Sequence, residues 1–259
     1  MSRAFLLTLQ FDGTEYCGWQ RQREDRSVQG VIEEVLSRLA GMPVKATAAG
    51  RTDAGVHALA LPVTATMPVR WEAGELLRAA NSLLPRSIAV AAVREVRPGT
   101  DARRSAMGRR YRYDVGTSGS ARSPFRARTC WPLGRQLEFG ALRGAAGVIA
   151  GEHDFRAFAA VGEPKPHYRC TVREAVWQLQ DDGVVRFEIA ADRFLHHMVR
   201  FLVGTMVEIG LGRRQEADMA ELLTLATNDH TSPPAPASGL SFLSAEYPDQ
   251  VWAGPEATW

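Results

Sequence analysis

The order strand, helix, strand, strand, helix, strand can be read twice along these 259 residues, and that repetition constrains the fold more than any single motif. In the first half, residues 4–11 alternate, with Phe5, Leu7, Leu9 and Phe11 on one face, as a half-buried strand does. Ser27 caps a helix whose apolar positions Val28, Val31, Ile32, Val35 and Leu39 recur at helical spacing as far as Gly41 and Pro43. Strands over 44–49 and 58–67 follow, and Pro62 puts the second near an edge or a bulge. A helix over 72–83 stops before Pro85, and 88–96 is the last strand of this half. The second half gives a strand over 109–115, a helix with Leu137, Ala141, Ala145, Val148 and Ile149 on one stripe, and strands over 171–180 and 184–190 joined at Asp181-Asp182-Gly183. A helix over 194–209, a second over 216–227 and a strand over 240–247 complete it. The expected fold class is α+β: two ferredoxin-like β-α-β-β-α-β halves, residues 1–105 and 106–259, with antiparallel sheets and a central basic cleft. Residues 228–239, with Pro233, Pro234 and Pro236, read as a loop and a candidate flap over that cleft.

Net charge is only +2, so a nucleic-acid surface would have to come from clustering. Residues 100–129 supply it. Eight arginines (Arg103, Arg104, Arg109, Arg110, Arg112, Arg122, Arg126 and Arg128) stand there against Asp101 and Asp114, a local balance of +6 suited to phosphates. The three cysteines are far apart and in no ligand spacing, which fits a reducing compartment. The apolar run near the N-terminus is too short for a signal-peptide core, and no segment approaches the roughly 20 apolar residues of a membrane span. A cytoplasmic protein with no membrane partner is expected.

Between two of the strands lies Gly50-Arg51-Thr52-Asp53-Ala54-Gly55-Val56-His57. Asp among glycines is ordinary turn chemistry. The connection is nonetheless longer than the about two to five residues a hairpin needs, and it carries a cation, a hydroxyl, an anion and an imidazole. The corresponding connection of the second half is the minimal Asp181-Asp182-Gly183 turn. At 100° per residue Arg193, His197, Arg200 and Gly204 share one stripe of an otherwise apolar helix. Two readings stand there: arginines snorkelling to solvent, or a buried cation whose partner is a carboxylate such as Asp53. Tyr111 and Tyr113 fall on one face of a strand and Arg110 and Arg112 on the other, which suits base stacking beside phosphates and equally suits core packing. His196 and His197 are adjacent, and neither His57 nor His153 belongs to a ligand run, so no metal site is expected. No glycine-rich phosphate loop is present, and no cofactor is expected.

At these residues the sequence resembles the TruA family of tRNA pseudouridine synthases. The resemblance is carried by Phe11-Asp12-Gly13-Thr14, Gly18-Trp19-Gln20-Arg21-Gln22, Arg26-Ser27-Val28-Gln29, Ala49-Gly50-Arg51-Thr52-Asp53-Ala54-Gly55-Val56-His57 and Ala102-Arg103-Arg104-Ser105-Ala106. It continues through Arg110-Tyr111-Arg112-Tyr113, Gly151-Glu152-His153-Asp154-Phe155, Phe194-Leu195-His196-His197-Met198-Val199-Arg200 and Gly239-Leu240. One departure is Ser87, where the family more often has an acidic residue. The resemblance implies isomerisation of uridines 38–40 of the tRNA anticodon stem-loop to pseudouridine, with base flipping, by a homodimer that needs no cofactor. It implies Asp53 as nucleophile, Tyr111 stacking on the uracil and Arg200 paired with Asp53. Arg51 would assist extrusion and Leu240 would line the uracil pocket, with Arg103 and Arg110 among the substrate-binding residues. Two rivals remain on the residues alone: a non-catalytic RNA-binding module, whose aromatic signature neither half shows, and a metal-dependent nuclease, which lacks ligand spacing.

Overall fold

The computed structural model describes residues 2–160 and 167–258, and its chain divides into two compact units, Met1–Met107 with Phe242–Trp259, and Gly108–Ser241. It is a mixed α+β structure with antiparallel strand pairing. In the first unit β1 (Ser2–Phe11), α1 (Val28–Ala40), β2 (Ala46–Ala48), β3 (His57–Pro68), α2 (Ala73–Leu83) and β4 (Ile88–Val96) follow the expected order. The sheet runs β4-β1-β3, with β2 on the far side of β3. Ser27 caps α1 by accepting from the Gly30 amide at 3.2 Å, and Gly41 closes it in the left-handed conformation. Phe5, Leu7, Leu9 and Phe11 are all buried, as their alternation requires.

Pro62 does not mark an edge, because β3 is paired on both sides there: Thr8 of β1 is opposite Pro62, and the Pro62 carbonyl accepts from the Ala49 amide at 2.8 Å. What the proline marks is a bulge. The β1–β3 register shifts between Leu9 and Phe11, which face Leu61 and Ala58. A buried carboxylate fastens α1 to β2, the strand that leads into the Asp53 loop. Glu33 accepts from the Ala46 amide at 3.1 Å, from Gln29 at 3.0 Å and from Arg21 at 3.3 Å.

The second unit contains β5 (Gly108–Gly116), α3 (Phe139–Val148), β6 (Gly151–Asp154), β7 (Arg169–Leu179), β8 (Val184–Ala191), α4 (Met198–Gly210) and the short α5 (Asp218–Leu222), in the sheet order β5-β8-β7-β6. β9 (Leu240–Glu246) begins in this unit and ends in the first, where β10 (Trp252–Thr258) adds a strand beside β4. Neither β6 nor β10 was expected from the sequence. The helix expected over 194–209 begins only at Met198, so Arg193 and His197 do not share its stripe with Arg200 and Gly204. The delay has a cause in hydrogen bonding. Asp192 Oδ1 takes the amides of Thr171 and Arg193, the His196 carbonyl takes the Ala160 amide, and His197 sits in the left-handed region at φ 62°. No helix among the described residues is long and apolar enough to cross a membrane.

Candidate functional site

The Asp53 loop is built into the first unit through its main chain. The Trp19 amide donates to the Thr52 carbonyl at 3.0 Å, the Gly55 amide to the Tyr16 carbonyl at 3.2 Å and the Val56 amide to the Asp53 carbonyl at 3.1 Å. The Gly13 amide donates to His57 Nδ1 at 3.1 Å. The segment from Asp12 to Trp19 therefore runs against the loop, and side chains would prevent that approach. At Gly18, where φ is +88°, a Cβ would collide with the Thr52 carbonyl oxygen and stand 2.9 Å from the carbonyl carbon of Asp53. Gly13 meets the Val56 carbonyl in the same way. A second support comes from Ser87, whose carbonyl accepts from the Asp12 amide at 3.0 Å and whose hydroxyl lies 2.7 Å from that of buried Tyr16. The position that departs from the family pattern is thus filled by a hydroxyl pair behind the loop.

Asp53 is half-buried and Arg51 exposed, whereas Thr52, Val56 and His57 are buried. Gly18→Ala is expected to lower stability by about 1–3 kcal/mol, seen as a lower urea midpoint with an unchanged slope. An unaltered midpoint would mean that the two segments separate at no cost.

In the second unit Tyr111 and Tyr113 do share a face of β5, but they meet different surroundings. Tyr113 is wholly buried, donates its hydroxyl to the Pro236 carbonyl at 2.7 Å and lies so close to Gly239 that a Cβ there would be 2.5 Å from the ring. Burial holds its phenol well above the usual tyrosine range, against the opposing charge of Arg200. Its part is packing. Tyr111 retains 8% of its surface and meets Phe194 edge-on, ring centres 4.9 Å apart.

The opposite face of β5 shows what a charge count along the sequence misses. Arg110 pairs with Glu174 at 2.6 Å and Glu188 at 3.7 Å, and its hydrogen bond is the main reason the Glu174 carboxyl is held below its usual range. Arg186 grips Asp114 with two bonds of 2.8 and 3.2 Å. Carboxylates from β7 and β8 answer part of the arginine excess seen along 100–129. Arg103 and Arg104 are exposed, with their amides held by Asp101 Oδ1 at 2.8 Å each.

Arg200 lies in the first turn of α4. Its Nε donates to the Ala235 carbonyl at 2.7 Å, and its own carbonyl accepts from the Ala235 amide at 2.9 Å. Tyr113 holds Pro236, Thr205 accepts from the Ser232 amide at 3.4 Å, and Arg214 donates to the His230 carbonyl at 2.9 Å. The proline-rich segment expected as a flap is therefore fastened to α4 and β5, because side-chain donors take up its carbonyls. Leu240 follows it directly, buried at the start of β9. Of the residues singled out by the sequence, Arg51, Asp53 and Arg103 belong to the first unit and Arg110, Tyr111, Arg200 and Leu240 to the second. The supports at Tyr16, Gly18, Trp19 and Ser87 were not singled out as such; Gly13 and Gly18, five residues apart ahead of Trp19, were the signal.

A family model described as tRNA pseudouridine synthase matches residues 8–101 and 145–248. The chain is similar to tRNA pseudouridine synthase A of Myxococcus xanthus, 39% identical over 94% of this chain and 91% of the relative. It is also 39% identical to the protein of that name from Moorella thermoacetica, over 93% of this chain and 98% of the relative. The Treponema denticola protein of that name is 34% identical over 98% and 96%.

Proposed function

This chain belongs to the TruA family of tRNA pseudouridine synthases, which are isomerases, and we propose that it converts uridines 38–40 of the tRNA anticodon stem-loop to pseudouridine. The observation that carries the reading furthest is the Asp53 loop, a carboxylate-bearing connection clamped by main-chain bonds to the segment from Asp12 to Trp19. Such a clamp suits a nucleophile, which must be held in one position when the substrate arrives.

The reaction breaks the bond from C1′ to N1 and forms one from C1′ to C5, with the C5 proton released and N1 regaining one. It is an isomerisation, so no redox partner enters. The target must leave the helical stack at a cost of a few kcal/mol, and stacking on Tyr111 at about 1–3 kcal/mol per base offsets much of it. In this reading Asp53 is the nucleophile, Arg200 its cationic partner, Arg51 an aid to extrusion and Leu240 a wall of the uracil pocket. Arg103 and Arg110 contact the RNA backbone, Arg110 the more weakly because Glu174 and Glu188 already meet its charge. The enzyme acts as a homodimer in the cytoplasm. The sheet orders β4-β1-β3-β2 and β5-β8-β7 support reading both units as ferredoxin-like.

The test is tritium release from tRNA labelled at uracil C5, in EDTA, with uridines 38, 39 and 40 replaced by cytidine singly and together. Release that falls with these replacements is expected. Undiminished release from the triply replaced tRNA would move the target elsewhere. Binding without release would return the protein to the non-catalytic RNA-binding class, and strand cleavage in a parallel reaction with magnesium in place of EDTA would make it a nuclease.

A further inference from the structure

Phe125 is 93% exposed, more than Met42, Val69, Met107 or Leu179, the other exposed large apolar side chains among the described residues. It is not carried on a loose end. The Ser123 carbonyl accepts from the amides of Arg126 and Ala127 at 2.9 and 2.8 Å. Arg126 reaches the Asp182 carboxylate at 2.7 Å and its carbonyl at 3.2 Å, tying the turn to the hairpin between β7 and β8. The ring is thus displayed on a structured turn, and a partner would bind it with little further ordering. Arg122 and Arg128 are exposed on either side of it in the sequence.

We propose that Phe125 is a stacking platform for an unpaired base of the tRNA, with Arg122 and Arg128 on neighbouring phosphates; this rests on the tRNA reading above. An exposed aromatic ring flanked in the sequence by exposed cations suits a base in its polyanionic backbone. A second copy of the chain fits less well, since a self-complementary contact would bring like charges together. The base is not the target uridine. Tyr111 and Gly116 are five residues apart on β5, about 17 Å at roughly 3.4 Å per residue. The Phe125 turn lies beyond the Gly116 end, where Thr117 meets Gly183 and Arg126 meets Asp182. The platform therefore takes a nucleotide elsewhere on the same tRNA.

Binding of tRNA by wild type and by Phe125→Ala, Phe125→Leu and Phe125→Trp would be measured by filter retention, with sedimentation of each protein and tritium release by wild type. Stacking predicts that Ala and Leu raise Kd about five-fold or more and that Trp keeps wild-type affinity. Equal affinity of Phe125→Ala would overturn the platform while wild-type release left the tRNA reading standing. Rescue by Leu, with Ala changing the sedimentation, would make the ring an apolar contact between copies and overturn it too. Wild type that neither binds nor releases would remove the tRNA reading and the platform together.

Discussion

Asp53→Asn protein is expected to bind tRNA as wild type does and to release tritium from uracil C5 at least about 10⁴-fold more slowly. The loop permits so clean a separation because the bonds that shape it pass through the Thr52 and Asp53 carbonyls and the Gly55 and Val56 amides, none of which the substitution alters. Asparagine keeps the size of the side chain and its tolerance of turn geometry. What is lost is a negative oxygen able to form a covalent bond. Rate per bound tRNA under single-turnover conditions is the measurement, and a rate within ten-fold of wild type would remove Asp53 from the nucleophile's role. An unfolding free energy within about 1 kcal/mol of wild type would show that the loop itself had survived.

Arg200→Met is expected to reduce turnover by about 10²-fold or more while changing tRNA affinity by less than ten-fold. Methionine fills much of the volume of the arginine stem in α4 but leaves the Ala235 carbonyl without its 2.7 Å donor. Arg200→Lys therefore serves as the companion variant: it keeps a cation but not the planar fork. If the cation supports the nucleophile as proposed, lysine should recover part of the rate. If Arg200 serves only to hold Ala235, neither variant recovers and both should show the same loosening of residues 232–239 in hydrogen exchange. Loss of affinity with normal turnover of the bound tRNA would contradict the assignment.

The elements from β1 to β4 could be read from the sequence because they announced themselves locally: alternation in β1, a capped periodic stripe in α1, Gly41 at its end. What escaped reading was set by neighbours distant along the chain. β6 has four residues, Gly-Glu-His-Asp, with no apolar face, and exists through its pairing with β7. β10 contains Gly254 and Pro255 at a register shift against β4, a composition that reads as a loop. The start of α4 was placed four residues early because apolar periodicity continues upstream of Met198; the left-handed His197 has no sequence signature. In the site, Asp53 stood out because its loop is longer than a hairpin needs. The partners of Arg110 did not, since Glu174 and Glu188 lie 64 and 78 positions further on and become neighbours only through β-pairing.

The return of the chain to β4 bears on how the protein emerges during synthesis. β4 ends at Val96 and β10 begins at Trp252, so the strand that covers its outer edge is made 156 residues later. At about 5–20 residues per second that interval is roughly 8–30 s. Throughout it the amides and carbonyls along one side of β4 face solvent as an open template for any other strand. The nascent first unit thus passes through a period of vulnerability to mispairing that ends only when β10 arrives.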